Sequence, residues 1–213
     1  VVDVAIFIAF LFGAPWTVLG FWNAAIGLWL LHGRRDGLKQ VAPFAAAGDL
    51  ATPLALRIAV LMTLRNENPE RAFRRLRVVK DSLDATGEGV WFDYFVLSDT
   101  SDPAVAGVEE ALAEAWSREI GEPARLTYRR RSDNAGFKAG NLRDFCERWG
   151  ERYELMLPLD ADSAMAGETI LGLARMMQAY PKIGILQSLV VGMPSRSAFA
   201  RIFQFGMRHG MRP

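Results

Sequence analysis

The chain has 213 residues, enough for one medium-sized domain with a buried core and a short additional segment. Its 25 lysines and arginines are balanced by 24 aspartates and glutamates, so the net charge of +1 does not favour a nucleic-acid-binding protein. Hydrophobic residues make up 51% and the mean hydropathy is +0.09, which is high for a soluble domain. Much of this excess lies near the amino terminus.

Residues 4–31 contain no charged side chain. As one helix they would measure about 42 Å, enough to cross a bilayer at a tilt. The basic residues that follow, Arg34, Arg35 and Lys39, predict that the chain after this span lies in the cytoplasm. A secretory signal is disfavoured because the positive charges come after the apolar run and not before it. We predict a transmembrane segment over residues 1–33, with a buried core helix as the alternative.

Residues 34–54 are rich in alanine, glycine and proline and are predicted to be a linker. Short apolar runs then alternate with helical patterns over residues 55–193. The predicted strands are 56–64, 92–98, 124–130, 153–160 and 183–188. This alternation predicts an α/β domain with a doubly wound, mainly parallel sheet, in which a ligand binds at the carboxyl ends of the strands.

Residues 194–213 mix apolar side chains with several arginines. The pattern predicts an amphipathic helix. Such a helix either lies on a membrane surface or packs on its own domain, and the sequence leaves both arrangements open. We take the interfacial arrangement as the prediction.

Aspartates follow two of the predicted strands. Asp160 and Asp162 end the fourth strand, where alternate carboxylates can hold Mg²⁺ or Mn²⁺ together with a diphosphate. The alternative is that Asp162 and Ser163 cap the next helix. After the second strand, Asp99 is a candidate nucleotide contact, and Asp102 is expected to cap the helix that follows.

A further polar cluster follows the first predicted strand. Thr63, Asn66 and Glu67 are candidates to hydrogen-bond a base or a ribose. Asn66 and Asn68 are equally suited to capping the next helix. Both interpretations place the cluster at the same edge of the sheet as the aspartates.

The segment RRRSDNAGFKAGN, residues 129–141, combines basic and small residues. Gly136 and Gly140 let the backbone approach a ligand, Lys138 suits phosphate, and Asn141 is expected to open a helix whose amides favour anions. The arginines 129–131 are alternatively a solvated strand end. Neither a Walker motif nor GxGxxG is present, which disfavours P-loop NTPases and dinucleotide-binding proteins.

These segments together resemble the family 2 processive glycosyltransferases. The matching stretches occur in the family's order: LRNEN, FVLSDTSDP, YRRRSDNAGFKAGNLRDFCERWG, LPLDADSAMAG and GILQS. The resemblance runs from about residue 16 to the carboxyl terminus and is strongest to the branch that makes osmoregulated periplasmic glucans. It implies a GT-A fold, UDP-glucose as donor, a growing β-glucan as acceptor, and a catalytic domain on the cytoplasmic side of a bacterial inner membrane, in contact with lipid.

The resemblance also implies roles for individual residues. Asp99, with Thr63 and Glu67, would hold the uridine part of the donor. Lys138 and Asn141 would line the donor pocket. These assignments follow from matching motif positions and not from the spacing itself.

The remaining implied roles concern the metal, the acceptor and the reaction. Asp160 and Asp162 would hold Mg²⁺ or Mn²⁺ and the diphosphate, and Gln187 would lie near the acceptor path. The family's TED-type general base and QxxRW motif do not occur in these 213 residues. The base for inverting transfer is therefore expected beyond Pro213, and the chain is expected to be a fragment that is inactive by itself.

Two other functions remain open. One is a polysaccharide synthase of the cellulose or hyaluronan type, which uses a different sugar or linkage. The other is a non-catalytic membrane protein that binds a nucleotide sugar. A nucleic-acid binder using the arginines 129–131 is disfavoured because the net charge is balanced.

Overall fold

The structure, a computed structural model, describes residues 2–49, 51–122, 125–188, 191–192 and 194–211. The chain forms two compact units. The first unit comprises Val1–Ala46 and Ile185–Pro213, and the second unit is Ala47–Gly184. The candidate site lies in the second unit.

The second unit is built around a parallel sheet. Among the described residues its strands are β1 (Ile58–Leu64), β2 (Phe92–Ser98), β3 (Leu126–Arg130) and β4 (Leu155–Asp160). The strand order is β3-β2-β1-β4. The chain moves outward from β1 to β3 and then returns to the other side of β1, so the topological switch point lies between β1 and β4. The predicted doubly wound α/β class is confirmed.

Helices connect these strands and cover both faces of the sheet. They are α3 (Pro69–Asp84), α4 (Pro103–Ile120), α5 (Phe137–Trp149) and α6 (Gly167–Ala179). Alternate residues of β1 and β2 point into two different cores. One core packs against α3, α4 and α6, and the smaller one packs against α5. Burial on both faces explains why β1 and β2 are continuous apolar runs in the sequence.

The predicted fifth strand, residues 183–188, is wrong. These residues carry no regular secondary structure, and Ile185 is 90% exposed. An apolar run becomes a strand only when a neighbouring backbone pairs with it. Within the described part of the chain, no strand pairing involves these residues.

The predicted linker, residues 34–54, contains local structure. Helix α2 (Gly37–Val41) and a 3-10 helix (Pro43–Asp49) lie within it. Its last part belongs to the second unit, where Leu54 is buried in the larger core. The amide of Ala55 donates to Oε1 of Gln178 at 2.8 Å. The start of the domain is thereby attached to α6.

The first unit contains two apolar helices. Helix α1 (Val2–His32) has a mean hydropathy of 2.1 over its most apolar window, and none of that window is buried. The described residues therefore do not cover this window, and the transmembrane segment stays a prediction. Helix α7 (Ala198–Met211) exposes Phe199, Ile202 and Phe203.

Candidate functional site

The two aspartates after β4 lie on an open turn. Asp160 is the last residue of β4, where it pairs in register with Thr63 of β1. Both Asp160 and Asp162 are exposed. Helix α6 begins at Gly167 with Ala166 as its N-cap residue, and the amide of Gly167 donates to Oγ of Ser82 at 2.8 Å and not to Asp162 or Ser163. The helix-capping alternative for Asp162 is therefore wrong, and both carboxylates are free of that structural role.

A lysine from α5 reaches this turn. Lys138 forms an ion pair with Oδ1 of Asp160, and both side chains are about half exposed, at 47% and 62%. An exposed pair of this kind adds little to stability. Its main consequence is electrostatic, because it brings a positive charge beside two carboxylates at the switch point.

Helix α5 begins earlier than the sequence predicted. Asn141 was expected to open it, but the helix starts at Phe137, after Gly136 in the left-handed conformation with φ of 70°. The carbonyl of Ala135 packs so closely on Gly140 that a side chain there would collide with it. The glycine-rich stretch is therefore the tightly folded first turn of the helix and not a loop before it.

Asn141 consequently lies inside α5 and is only 1% exposed. Its Nδ2 donates to the carbonyl oxygen of Leu97 in β2 at 3.1 Å. Its Oδ1 is buried without a partner among the described atoms. The geometry gives this residue a supporting position, since it fixes α5 to the sheet directly beneath Lys138.

Asp99 follows β2 and is held by an arginine. Arg131 Nε and Nη2 donate to its two carboxylate oxygens at 2.6 and 2.7 Å, and both side chains are almost fully buried. This hydrogen bonding to Asp99 raises the pKa of Arg131 above its usual value. Arg131 also donates to the carbonyl oxygens of Ala135 and Phe137 at 3.0 and 3.1 Å. The ion pair thereby fixes the loop that leads into α5.

An asparagine extends this network to the end of β1. With its amide oriented to satisfy its neighbours, Asn134 donates to Oδ2 of Asp99 at 2.9 Å and accepts from Nη1 of Arg65 at 2.9 Å. Arg65 is exposed. A positive charge is thus held beside Asp99 at the rim of the sheet, at a residue that the sequence did not single out.

The other two arginines of the basic segment are also structural. Arg129 is 9% exposed and contacts Oδ2 of Asp144 at 2.9 Å, and its burial lowers its pKa. Arg130 Nε donates to the carbonyl oxygen of Thr100 at 2.9 Å. The interpretation of residues 129–131 as a solvated strand end is therefore wrong for Arg129 and Arg131, whereas Arg130, the last residue of β3, is exposed.

The loops after β1 and β2 are joined by Asn66. Its Oδ1 accepts from the backbone amides of Ser101 and Asp102 at 3.0 and 3.1 Å. The backbone amide of Asn66 donates to Oγ1 of Thr100 at 3.0 Å. Asn66 has a positive φ of 58°, which asparagine tolerates better than most residues. It positions two strand ends relative to each other and does not cap α3.

Helix caps account for two of the other polar residues. Asn68 accepts from the amide of Arg71 at 2.8 Å, and Asp102 accepts from the amide of Ala104 at 2.8 Å. The capping predictions for Asn68 and Asp102 are confirmed. Glu67 is exposed and accepts from the amide of Arg65.

Two further residues hold the site in place and were not predicted from any local pattern. Glu109 of α4 is fully buried, and its carboxylate accepts hydrogen bonds in the loop after β2. Arg75 of α3 donates from Nη1 to the carbonyl oxygen of Ala161, between the two aspartates, at 2.9 Å. The latter contact joins positions 86 residues apart, which no local pattern reveals.

Gln187 lies in the first unit, where it is exposed and outside any helix or strand. Its predicted place near an acceptor path stays a prediction.

The residues at the switch point suit a divalent cation that is bound together with a diphosphate. Among the described residues, no cluster of three or more His, Cys, Asp or Glu side chains is placed to hold a metal. Asp160 and Asp162 offer hard oxygen ligands at an exposed turn. Mg²⁺ commonly takes one or two carboxylates and completes its shell with water and substrate phosphates. The donor set therefore fits such an ion.

A cleft of about 410 Å³ lies away from the carboxyl ends of the strands. It is bordered by the last turns of α3 and α4. Arg77 in its wall pairs with Glu119 at 2.6 Å and lies 5.0 Å from the ring centroid of Trp116. We do not assign the candidate site to this cleft, because ligands of doubly wound sheets bind at the carboxyl ends of the strands.

Comparison with known proteins gives a consistent set of relatives, although no family model matches the chain. The chain is 42% identical over 194 residues to a glucans biosynthesis glucosyltransferase H from Shewanella oneidensis, and 41% identical to that of Shewanella sp. strain ANA-3. Each alignment covers 91% of this chain and 25% of the relative. The chain therefore spans about a quarter of the length of these curated relatives.

Two solved glycosyltransferase structures are more distantly similar. The mannosyltransferase PcManGT from Pyrobaculum calidifontis, in complex with GDP-Man and Mn²⁺, is 18% identical with a TM-score of 0.48, covering 75% of this chain and 45% of its own. S. aureus TarS 1-349 is 17% identical with a TM-score of 0.40, covering 62% and 39%.

Proposed function

Because nearly the whole chain is homologous to glucans biosynthesis glucosyltransferases H, we propose that it forms the donor-binding part of a membrane glucosyltransferase. The donor is UDP-glucose, and the acceptor is a growing β-glucan of the osmoregulated periplasmic type. Transfer inverts the configuration at the anomeric carbon. The relatives' name supports glucosyl transfer. The observation that carries the proposal is the turn at Asp160 and Asp162, whose exposed carboxylates have no capping role and lie beside Lys138.

The diphosphate end of the donor is assigned to this turn. Asp160 and Asp162 would hold Mg²⁺ or Mn²⁺, which supplies positive charge for the diphosphate as the leaving group. Lys138 already touches Asp160, so a bound phosphate would take over the lysine's interaction without a large movement of α5. Asn141 supports this arrangement from below through its bond to β2.

The uridine end is assigned to the neighbouring strand ends. Asp99, Thr63 and Glu67 are the proposed contacts. Thr63 pairs in register with Leu97 of β2 and Asp160 of β4, so it lies between the diphosphate turn and the loop that carries Asp99. Oδ2 of Asp99 accepts from both Arg131 and Asn134, whereas Oδ1 accepts from Arg131 and keeps a second lone pair with which to accept from a ligand.

The membrane topology is part of the proposal. Helix α1 is long and apolar enough to span a bilayer, a test that a signal sequence would also pass. With α1 as the span, Arg34 and Arg35 favour a cytoplasmic position for the domain at a bacterial inner membrane. The apolar side chains exposed on α7 support its contact with the lipid surface.

The test is a titration of the full chain in detergent with UDP, UDP-glucose and GDP-mannose, each with Mn²⁺, with Mg²⁺ and with EDTA. We expect metal-dependent binding of UDP that Asp160→Asn and Asp162→Asn both abolish. Asp81→Asn is the matched control, because Asp81 is an exposed carboxylate on α3. Absence of metal-dependent UDP binding by the correctly folded chain would contradict the proposal.

The same titration addresses the two alternatives. A synthase of the cellulose or hyaluronan type would differ in the sugar nucleotide that competes best with UDP. A non-catalytic nucleotide-sugar-binding protein would bind the donor but transfer no glucose when the chain lies in a protein of the relatives' length. Transfer of radiolabelled glucose from UDP-glucose to glucan by such a protein separates these outcomes.

A further inference from the structure

Glu109 is a carboxylate in the interior of the second unit with no cationic partner. It is 0% exposed, although a buried charged group is costly unless hydrogen bonds compensate it. Among the described residues, none of its recorded partners is basic. A carboxylate at this position therefore calls for an explanation beyond packing.

Three hydroxyl groups satisfy its two oxygens. Ser98 Oγ and Thr100 Oγ1 donate to different oxygens of Glu109 at 2.6 Å each. Tyr128 OH of β3 donates to Oε2 of Glu109 at 3.0 Å. Burial raises the pKa of Tyr128, and the nearby Glu109 raises it further, so this phenol stays a donor. A single side chain of α4 thus holds the end of β2 and the neighbouring strand.

The two hydroxyls from the β2 loop flank Asp99 in sequence. Ser98 precedes it and Thr100 follows it, and the amide of Thr100 also donates to Ser98 Oγ at 3.1 Å. The amide of Asp99 donates to the carbonyl oxygen of Leu64 at 2.8 Å. The backbone on both sides of Asp99 is therefore fixed from the interior, whereas Arg131 fixes its side chain.

The network continues to the loop after β1. Thr100 Oγ1 donates to Glu109 and accepts from the amide of Asn66 at 3.0 Å. The position of the β1 loop, which carries Glu67, therefore depends on the same threonine hydroxyl.

We propose that Glu109 is a positioning residue for the nucleoside part of the donor site. This inference rests on the proposed function, because it assigns Glu109 to the loop that would hold uridine. Glu109 touches no ligand itself. It acts through Ser98 and Thr100, which set the backbone around Asp99, and it has no contact with the turn at Asp160 and Asp162.

Two variants disrupt, by different means, the hydrogen bonds between Glu109 and the loop after β2. In Glu109→Gln, an amide nitrogen replaces one accepting oxygen, so at least one of Ser98 and Thr100 loses its acceptor whichever way the amide lies. Thr100→Val keeps the shape of the side chain and removes the hydroxyl. Tyr128→Phe is the graded control, because it removes a hydrogen bond from the same carboxylate and the interaction of the phenol with Ser98 but leaves the hydroxyl of Thr100 in place. Glu110→Gln is the second control, because it makes the same change at the exposed residue next to Glu109 in α4.

The first measurement is hydrogen exchange of the amides of residues 99–101 in the full chain in detergent, without ligand. The second is UDP affinity with Mn²⁺ at a temperature at which every variant is folded. We expect Glu109→Gln and Thr100→Val to accelerate exchange and to weaken UDP binding about tenfold, the loss that follows when one hydrogen bond to a charged group is disturbed. Tyr128→Phe should change both less than Glu109→Gln does, and Glu110→Gln should change neither.

Two results would overturn the inference. One is unchanged exchange and affinity in Glu109→Gln. The other is an equal loss of affinity in Tyr128→Phe, which would make Glu109 a general stabiliser of the fold. If the wild-type chain binds no UDP, the proposed function fails, whereas the exchange measurement still decides whether Glu109 holds the loop.

Discussion

The ion pair between Asp99 and Arg131 gives the sharpest energetic prediction. Both side chains are nearly inaccessible, at 4% and 9% exposed, and two hydrogen bonds join them. Asp99→Asn leaves the arginine charge in place without its carboxylate. Breaking one partner of a buried pair typically costs about 3–5 kcal/mol, and we expect about 3 kcal/mol because Arg131 keeps its bonds to two carbonyl oxygens.

The assay is urea unfolding of the second unit within the full chain, followed by circular dichroism in detergent. A lower midpoint with an unchanged slope reports a loss of stability. The double variant Asp99→Asn with Arg131→Met should recover part of the loss, because it removes the unpaired charge as well. Glu147→Gln is the control, since its pair with Arg143 is exposed at 70% and 75% and should contribute less than about 0.5 kcal/mol.

A loss below about 1 kcal/mol for Asp99→Asn would refute this reasoning, because it would mean that solvent screens the pair as it does a surface contact. A double variant as unstable as the sum of the two single variants would also refute it, since independent sites add and coupled sites do not.

Three further predictions concern other parts of the second unit. Gly167→Ala should destabilise the domain by about 1–3 kcal/mol in urea unfolding, because the added methyl group would overlap the carbonyl of Ser82; wild-type stability would contradict this. Burial, with a hydrogen bond to a carboxylate, raises the pKa of Tyr153 to about 12, so its contribution to stability is fully present below about pH 10 and is lost as the pH rises through 12. Tyr153→Phe should flatten this alkaline decline in the free energy of unfolding, and an unchanged slope would refute the assignment. Arg75→Met should accelerate hydrogen exchange in the turn around Ala161 and weaken Mn²⁺-dependent UDP binding, with the exposed neighbour Arg74→Met as the control; equal exchange in both variants would exclude a role for the guanidinium.

Local patterns predicted the parts of the fold that depend on local interactions. The helix starts at Pro69 and Pro103 were marked by capping residues that satisfy free amides within three positions, so a single short stretch contains the whole cause. Strands β1 and β2 were visible because both of their faces are buried, whereas β3 and β4 are only partly buried and were recognised as short apolar runs. Residues 183–188 looked the same in sequence but formed no strand, because pairing is a property of a neighbour and not of the run itself.

The candidate site was predicted in outline and not in its internal contacts. The aspartates and Lys138 lie at strand and helix ends, positions that topology brings together. The hydrogen bond of Asn141 to β2, the ion pair of Asp99 with Arg131 and the burial of Glu109 join segments that are remote in sequence. No periodicity or motif encodes such contacts, so they had to come from the structure.

The carboxylates at this edge of the sheet differ in how they are satisfied. Glu109 is buried with both oxygens engaged by hydroxyls, and Asp99 is buried with both oxygens engaged by Arg131. Asp160 and Asp162 are exposed, and Lys138 is the one cation recorded on them among the described residues. Under the proposed function, Asp160 and Asp162 are the carboxylates left open to a divalent cation and a diphosphate. Glu109 and Arg131 would instead hold Asp99 in position for the nucleoside.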